Sequence, residues 1–225
     1  MATGAVVIGD RVRVPSDVFE LDRFRAWAHS DEFPTTGRIS FLAGEVDVDM
    51  SPEEIESHNK VKTALTADLF LWNRKSNLGE VFSDGTFFVN ESCGLATEPD
   101  LMFCSWQNFK NGSTRLREWA EGSNRFVELA GSPDLVVEVV SRSSVRKDTK
   151  VLFDLYFQAG VLEYWLIDAR GIEIDFRLLT RRTKQFGAVV ANEDGFVHSS
   201  VLGGDFRLTR SQNELGRFDY SLESN

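Results

Sequence analysis

Apolar residues follow a helical period near the start of the chain and an extended period after it. Those with the helical spacing recur every three positions, at Val18, Leu21, Phe24 and Trp27. They predict an amphipathic N-terminal helix over residues 15–29, with Asp17 as its candidate cap. Residues 38–50 instead alternate between apolar and polar side chains, and this alternation predicts two strands that turn near Ala43-Gly44.

A second helix is predicted to begin at residue 51. Ser51 is a good N-cap, Pro52 suits the first helical position, and Glu54 stands three residues after the cap. This is the arrangement of a capping box. The helix is expected to extend to about Asn73.

Most of the remaining apolar patterns predict extended structure. Runs of apolar and β-branched residues predict further strands, at residues 81–90, 95–105, 134–140, 163–168 and 173–179. Residues 106–124 are expected to form an irregular connection. A helix is predicted over residues 145–159, ended by Gly160, and a β-rich tail follows. This order predicts an α/β fold, in which helices flank a mixed central β-sheet.

The chain of 225 residues is predicted to be one domain. Its core would span residues 36–180, after the N-terminal helix, and a C-terminal β extension would span residues 181–222. No apolar run approaches the roughly 18 residues that cross a membrane, and no signal-peptide pattern is visible. Cys93 and Cys104 have no metal-binding spacing. We therefore expect a cytoplasmic protein with reduced thiols and no membrane partner.

The net charge of −10 bears on the partners of the protein. It counts against a protein that coats nucleic acid, because such binding depends mainly on Lys and Arg side chains next to phosphates. It is compatible with an enzyme that has a small basic groove. The sequence contains no Gly-rich phosphate loop, no serine-hydrolase elbow and no nicotinamide-binding fingerprint.

Two predicted strands place a carboxylate among apolar residues. Asp100 follows a proline at the start of one strand, and Glu138 lies between valines in the middle of another. A buried charge costs several kcal/mol unless it is compensated, and a divalent cation is a common compensation. If the two strands are adjacent, Asp100 and Glu138 would form a metal site. The alternative for Glu138 is a buried salt bridge with an arginine.

The other acidic residues allow simpler interpretations. Asp134 precedes Glu138 by four residues, or about 13 Å along a strand, which is too far to share one ion. Asp134 is therefore expected at a turn or a strand start. Glu45 is either an exposed hairpin carboxylate or a third acid near the metal. Glu54 and His58 are one helical turn apart, a spacing that would suit a metal but is more typical of a surface pair or of a partly buried residue whose hydrogen bonds are satisfied.

A short basic stretch, residues 142–150, follows the strand that contains Glu138. Within it, Lys147 and Lys150 stand at the start of the predicted helix. Either amine could stabilise the negative charge that develops at a scissile phosphate. Either could equally be a solvated charge on the helix surface, and the spacing leaves both interpretations open.

Several segments in a fixed order carry a family resemblance. They are Gly44-Glu45-Val46, His58-Asn59, Glu98-Pro99-Asp100, the run Ser132 to Ser141 and the run Ala159 to Asp168. Together they resemble the PD-(D/E)XK nuclease superfamily. More narrowly, they resemble its branch of small bacterial proteins described as putative restriction endonucleases, formerly a domain of unknown function. The resemblance covers about residues 20–180, and the tail from Ser200 to Leu208 resembles one subgroup.

The resemblance implies a restriction-endonuclease-like fold and a metal-dependent DNA endonuclease that is expected to form a homodimer. Asp100 matches the first acid of the family motif and Glu138 matches the second. Both would bind a divalent cation, Mg²⁺ or Mn²⁺. Glu45 matches a recurrent acid that could complete the site.

The basic residue of the motif departs from the usual pattern. The Lys that commonly stands two residues after the second acid is replaced by Val140. In this branch the basic residue is often on the following helix, where Lys147 fits the subgroup pattern better than Lys150. The departure supports a second hypothesis, a catalytically degenerate nuclease-like scaffold that acts as a binding protein. A third, a metal-dependent hydrolase of another substrate, would require a closed small-molecule pocket.

Overall fold

The computed structural model describes residues 5–8 and 12–225. Residues 1–4 and 9–11, which the predicted domain of residues 1–225 includes, lie outside the described part. The first elements are β1 (Ala5–Ile8), β2 (Val12–Pro15), α1 (Leu21–Ala28), β3 (Arg38–Leu42), β4 (Glu45–Asp49), α2 (Lys60–Ser76), β5 (Gly79–Ser83), β6 (Phe88–Asn90), β7 (Leu95–Thr97), β8 (Leu101–Ser105), α3 (Trp106–Asn111) and β9 (Thr114–Glu118). The later elements are β10 (Phe126–Gly131), β11 (Leu135–Val139), α4 (Leu152–Gln158), β12 (Glu163–Asp168), β13 (Asp175–Arg181), β14 (Phe186–Ala188), β15 (Val197–Ser199), β16 (Gly204–Gln212) and β17 (Phe218–Ser224).

Two six-stranded sheets organise the fold. The first has the strand order β4-β3-β7-β6-β10-β9, and the second has the order β14-β13-β12-β11-β8-β5. Both are mixed, because β10 is parallel to β6 in the first sheet and β11 is parallel to β12 in the second. The predicted α/β fold with mixed strands and flanking helices is confirmed. It differs from the prediction in having two such sheets instead of one central sheet.

Two of the predicted strands are each divided between the sheets. The predicted strand 81–90 splits into β5 and β6, and the predicted strand 95–105 splits into β7 and β8. The second break falls at Glu98-Pro99-Asp100, where Pro99 has no N–H to donate to a ladder. The apolar pattern did not reveal these breaks, because the residues on both sides of each one pack in the core. The division has a functional consequence, since Asp100 lies where the chain crosses from one sheet to the other.

The N-terminal helix is shorter than predicted. Strand β2 extends to Pro15, a turn follows it, and α1 begins at Leu21. Val18 is buried although it precedes the helix. At that position the apolar spacing correctly indicated burial, but it did not indicate helical structure. Asp17 does not cap α1. The N-cap position belongs to Glu20, whose side chain forms no capping hydrogen bond.

The second helix also begins later than predicted. Residues 51–54 are not helical, and a wide π-type turn at Ile55–Asn59 leads into α2. The capping box does not form, because the Ser51 N–H donates to the carboxylate of Asp49 over 2.8 Å. The side chain of Glu54, at the N-cap position, forms no capping hydrogen bond.

The connection predicted to be irregular, residues 106–124, contains α3 and β9. Ser105 caps α3 by accepting a hydrogen bond from the N–H of Asn108 over 3.2 Å, and Gly112 ends the helix in a left-handed conformation. Strand β9 then pairs antiparallel to β10. Short elements such as these carry too few residues for a periodic pattern to stand out.

The C-terminal tail has its own three-stranded sheet, in the order β15-β16-β17. It packs against α2, where Lys60 donates a hydrogen bond to the carbonyl of Phe218 over 2.6 Å and Asp68 accepts one from the N–H of Leu222 over 2.8 Å. In the described residues, no helix is long and apolar enough to cross a membrane.

Glu128 on β10 ties helix α1 to the first sheet. Its buried carboxylate accepts hydrogen bonds from both Nε and Nη2 of Arg25, over 2.9 and 2.8 Å, and lies 2.8 Å from Nε2 of His29. Burial alone would raise the pKa of Glu128, but the bonds from His29 and Arg25 outweigh it and hold the pKa at about 2. The carboxylate is therefore ionised in the folded protein and contributes to stability at neutral pH.

We expect Glu128→Gln to lower the free energy of unfolding by about 1–3 kcal/mol at pH 7, because it removes charge-assisted hydrogen bonds from a buried site. The folded-state pKa lies below the ordinary value of 4.5, so this contribution is present above pH 4.5 and is lost as the pH falls toward 2. Urea denaturation at several pH values measures it. The exposed Glu121→Gln variant is the control, and equal stability of the two variants at pH 7 would contradict the prediction.

Candidate active site

Strand pairing brings the two predicted acids together. Strand β8 is antiparallel to β11, with Leu101 opposite Val137. Extending this register by one residue places Asp100 opposite Glu138. Residues opposite each other in an antiparallel pair have Cβ atoms about 4.5–5.5 Å apart on the same face. Both side chains are 5% exposed, so the structure places two carboxylates side by side in a buried position.

Asp100 is held from several directions. Its Oδ2 accepts a hydrogen bond from the N–H of Val139 over 2.7 Å. Nε2 of His58 lies 3.6 Å from the same oxygen, and Nζ of Lys62 lies 3.6 Å from Oδ1. The backbone contact locks the end of β8 to the end of β11, while the side-chain contacts come from the beginning of α2. The position of Asp100 is therefore fixed by the strands and the helix together.

Glu138 has a different environment. Its Oε1 accepts a hydrogen bond from the hydroxyl of Tyr156 over 2.5 Å. Burial raises the pKa of Glu138 well above its ordinary value, and the carboxylates of Asp100 and Asp148 raise it further. In the described part of the chain no arginine forms an ion pair with Glu138. The buried Glu–Arg salt bridge, which was the alternative for this residue, is therefore not what the structure contains.

The turn that opens the helix after β11 supplies two more groups. A π-type turn at Lys147–Val151 leads into α4. A π turn has more residues than an α turn, so the angle between consecutive side chains around the helix axis is smaller. Both Lys147 and Asp148 accordingly line the cavity beside Asp100 and Glu138. Burial lowers the pKa of Lys147, but the carboxylates of Glu138 and Asp148 outweigh it and the net shift is upward. Lys147 therefore carries a positive charge at neutral pH.

The groups meet at one small cavity. Its volume is about 10 Å³, roughly the space that one water needs. An adjoining cleft of about 410 Å³ shares Ser144 and Lys147 with it and opens to solvent. The charged side chains that line the cavity include Arg38, His58, Asp100, Glu138, Lys147 and Asp148. No closed small-molecule pocket surrounds the acids in the described structure, which counts against a hydrolase that encloses a small substrate.

The donor set suits a divalent cation. Two adjacent buried carboxylates repel each other: burial is the main cause of the raised pKa of Glu138, and the charge of Asp100 raises it further. A cation would remove that repulsion. Mg²⁺ is commonly held by one or two carboxylates and keeps several water ligands. Among the described residues, no three His, Cys, Asp or Glu side chains are already arranged around a common metal position. Asp100 and Glu138 would therefore be the protein ligands, and water or phosphate oxygens would supply the rest.

A partly buried polar network behind Asp100 was not anticipated from the sequence. Oε1 of Glu53 lies 2.8 Å from Nδ1 of His58 and 2.5 Å from Nζ of Lys62. Lys62 is 6% exposed and also contacts Asp84 over 2.6 Å. His58 thus pairs with Glu53 and not with Glu54, and it is buried. The signal in the sequence was the four-residue spacing of His58 and Lys62, which puts both on one helix face.

The remaining predicted residues lie elsewhere. Glu45 is exposed on the β3–β4 hairpin and does not line the cavity, which matches its interpretation as a hairpin carboxylate. Lys150 is exposed, so of the two candidate lysines only Lys147 reaches the cavity in the described structure. Asp134 is a strand-start residue, as expected, since its Oδ2 accepts a hydrogen bond from the N–H of Ser105 over 2.6 Å. The structure thus brings together Asp100, Glu138 and Lys147.

Comparison with known proteins bears on the fold and the family of the chain. A solved structure of a putative nuclease belonging to DUF820 from Anabaena variabilis has a similar fold, with a TM-score of 0.57 and 14% sequence identity. The match covers 82% of this chain and 90% of that one. No curated protein matches the sequence. The model of the Uma2 family, described as putative restriction endonucleases, matches residues 21–209, and because this is most of the chain, the protein belongs to the Uma2 family.

Proposed function

We propose that the protein is a metal-dependent DNA endonuclease that hydrolyses phosphodiester bonds. One observation carries the proposal: the register of β8 and β11, extended by one residue, puts Asp100 opposite Glu138, both residues are buried, and the charged Lys147 lines the same cavity. A structural role explains such a set poorly, because two adjacent buried carboxylates without a shared cation are destabilising. The family and the nuclease of similar fold support the same reaction class.

Each group has a distinct task in the proposed reaction. Asp100 and Glu138 would bind Mg²⁺ or Mn²⁺, and the hydrogen bond from Val139 and the contact with His58 orient Asp100 for this. When bound, such an ion lowers the pKa of a water and polarises the phosphate. Lys147 stays protonated and would offset the negative charge that builds up on the phosphate in the transition state.

The DNA substrate is expected to approach over the exposed start of the helix that bears Lys147. Arg142, Arg146 and Lys150 are exposed there, and basic side chains of this kind contact phosphates without reading sequence. We expect the enzyme to act as a homodimer, as the family resemblance implies. We also place it in the cytoplasm, where the free thiols of Cys93 and Cys104 would stay reduced.

We expect the purified protein to nick or linearise supercoiled plasmid with Mg²⁺ or Mn²⁺, and to stop when EDTA removes the ion. Agarose electrophoresis resolves the supercoiled, nicked and linear forms. Calorimetric titration with Mn²⁺ on the same preparation separates the other outcomes. Binding of Mn²⁺ without cleavage of the plasmid would indicate a different phosphate substrate. Neither binding nor cleavage would favour the catalytically degenerate scaffold and would refute the proposal.

A further inference from the structure

Asp148 is the most deeply buried carboxylate at the cavity, with 1% of its surface exposed. Its Oδ2 accepts a hydrogen bond from the hydroxyl of Ser144. Its Oδ1 is buried and forms no hydrogen bond in the described structure. Leaving a buried acceptor unpaired is unfavourable, so this oxygen is expected to gain a partner during function. Because Asp148 lines the cavity that Asp100 and Glu138 share, we expect that partner to be a group that enters this cavity.

Several of the other groups at the cavity are already engaged. Lys147 is protonated, since the neighbouring carboxylates raise its pKa. The Oδ2 of Asp100 is bonded to a backbone N–H, and the Oε1 of Glu138 is bonded to a tyrosine hydroxyl. In the proposed reaction both of these acids would also be engaged with the cation. His58 is placed between the carboxylates of Glu53 and Asp100. The Oδ1 of Asp148 is thus the fully buried acceptor at this cavity that forms no hydrogen bond in the described structure.

We propose that Asp148 accepts the proton of the attacking water in the hydrolysis, an inference that rests on the proposed function. One O–H bond of the water breaks, its proton forms a bond to Oδ1 of Asp148, and the electron pair stays on the water oxygen. That oxygen forms a new bond to phosphorus. The bond between phosphorus and the leaving oxygen breaks, the leaving oxygen keeps the pair, and it takes a proton from solvent. Asp148 then releases its proton to solvent.

Charges around the cavity prepare Asp148 for this role. Burial raises its pKa, Lys147 and the Ser144 hydrogen bond lower it, and Asp100 raises it, with a net pKa of about 7. A base is most effective when its pKa lies near the working pH. Ser144 is a positioning residue, because it binds Oδ2 and leaves Oδ1 toward the cavity. The charged or titratable groups that line the cavity with Asp148 come from its own helix and from the elements around it: Lys147, Asp100 just before β8, Glu138 on β11, Arg38 on β3, Asp49 on β4, His58 before α2, and Glu98.

The test is the pH dependence of kcat/KM for plasmid nicking at saturating Mg²⁺. For the wild type we expect the rate to rise with pH as Asp148 loses its proton, and then to level. Asp148→Asn should lower kcat/KM by about 10²–10⁴-fold, the usual contribution of a general base, and should remove the rise. Ser144→Ala should fold normally and move the rise to higher pH, because it removes a hydrogen bond that lowers the pKa of Asp148.

The exposed Asp154→Asn variant on the same helix is the control and should behave as wild type. Titration with Mn²⁺ should give Asp148→Asn an affinity within about threefold of the wild type, whereas a large loss would make Asp148 a cation ligand and overturn the inference. Unchanged activity and an unchanged pH profile in Asp148→Asn and Ser144→Ala would overturn it as well, while the proposed function would stand. Absence of cleavage by the wild type would overturn both.

Discussion

Glu138→Gln is expected to lower the rate of DNA cleavage by about 10³-fold while leaving the protein folded. A catalytic cation supplies several kcal/mol of transition-state stabilisation, and each 1.4 kcal/mol corresponds to a factor of ten in rate. The amide of Gln can still accept the hydrogen bond from Tyr156, but it cannot hold the ion as a carboxylate does. Asp100→Asn is expected to have an effect of the same size.

The stability of the Glu138→Gln variant distinguishes a functional acid from a structural one. Because the folded-state pKa of Glu138 is raised, its stabilising contribution is present at low pH and is lost as the pH rises. At pH 8 and without metal, Glu138 therefore lowers the free energy of unfolding of the wild type, and a neutral Gln side chain does not. We expect the variant to unfold at the same temperature as the wild type or higher.

Two readouts on one set of proteins check this prediction. Plasmid nicking gives the rate, and differential scanning calorimetry gives the unfolding temperature. Glu45→Gln, at an exposed carboxylate on the β3–β4 hairpin, is the matched control and should cleave like the wild type. A Glu138→Gln variant that cleaves normally, or one that loses both activity and stability, would contradict the assignment of Glu138.

Lys147→Met should lower the cleavage rate by about 10²–10³-fold, the typical loss when one group that stabilises transition-state charge is removed. Met keeps much of the length and apolar stem of Lys but cannot carry the charge. Since Lys147 is kept protonated by Glu138 and Asp148, the effect should be on kcat.

Lys150→Met supplies the comparison for this prediction. Lys150 stands three residues further along the same helix and is exposed, so its loss should change kcat at most about twofold, as is usual for a surface charge. Initial rates of plasmid nicking at saturating DNA and Mg²⁺ measure both variants. Equal losses in the two variants would indicate a general electrostatic contribution to DNA binding, and would remove Lys147 from the catalytic site.

The acids of the site could be predicted because each stands out in its own strand. Glu138 lies among valines, and Asp100 follows a proline at a strand start. Their pairing needed one further fact, the antiparallel register of β8 and β11, which a single sequence does not reveal. The α/β class and the mixed sheets also followed from the order of the patterns, and the family model bears out the resemblance.

Other features were hidden because tertiary contacts decided them. The split of two strands between the sheets is invisible to periodicity, since the residues on both sides are buried. The predicted capping box at Ser51 failed because the Ser51 N–H donates to the carboxylate of Asp49 instead. Asp148 was not predicted to be a site residue, because it lies in a basic stretch that is typical of a helix surface. Only the wide turn at Lys147–Val151 directs it inward.

The most direct test of the account is the rate of plasmid nicking as a function of Mg²⁺ concentration, for the wild type and Asp100→Asn purified in parallel. The account predicts that the wild type is inactive in EDTA, that its activity rises with Mg²⁺ to saturation, and that Asp100→Asn stays about 10³-fold lower throughout. Cleavage that is equal in both preparations would come from a contaminant or from another site, and would contradict the assignment of Asp100, Glu138 and Lys147 as a nuclease centre.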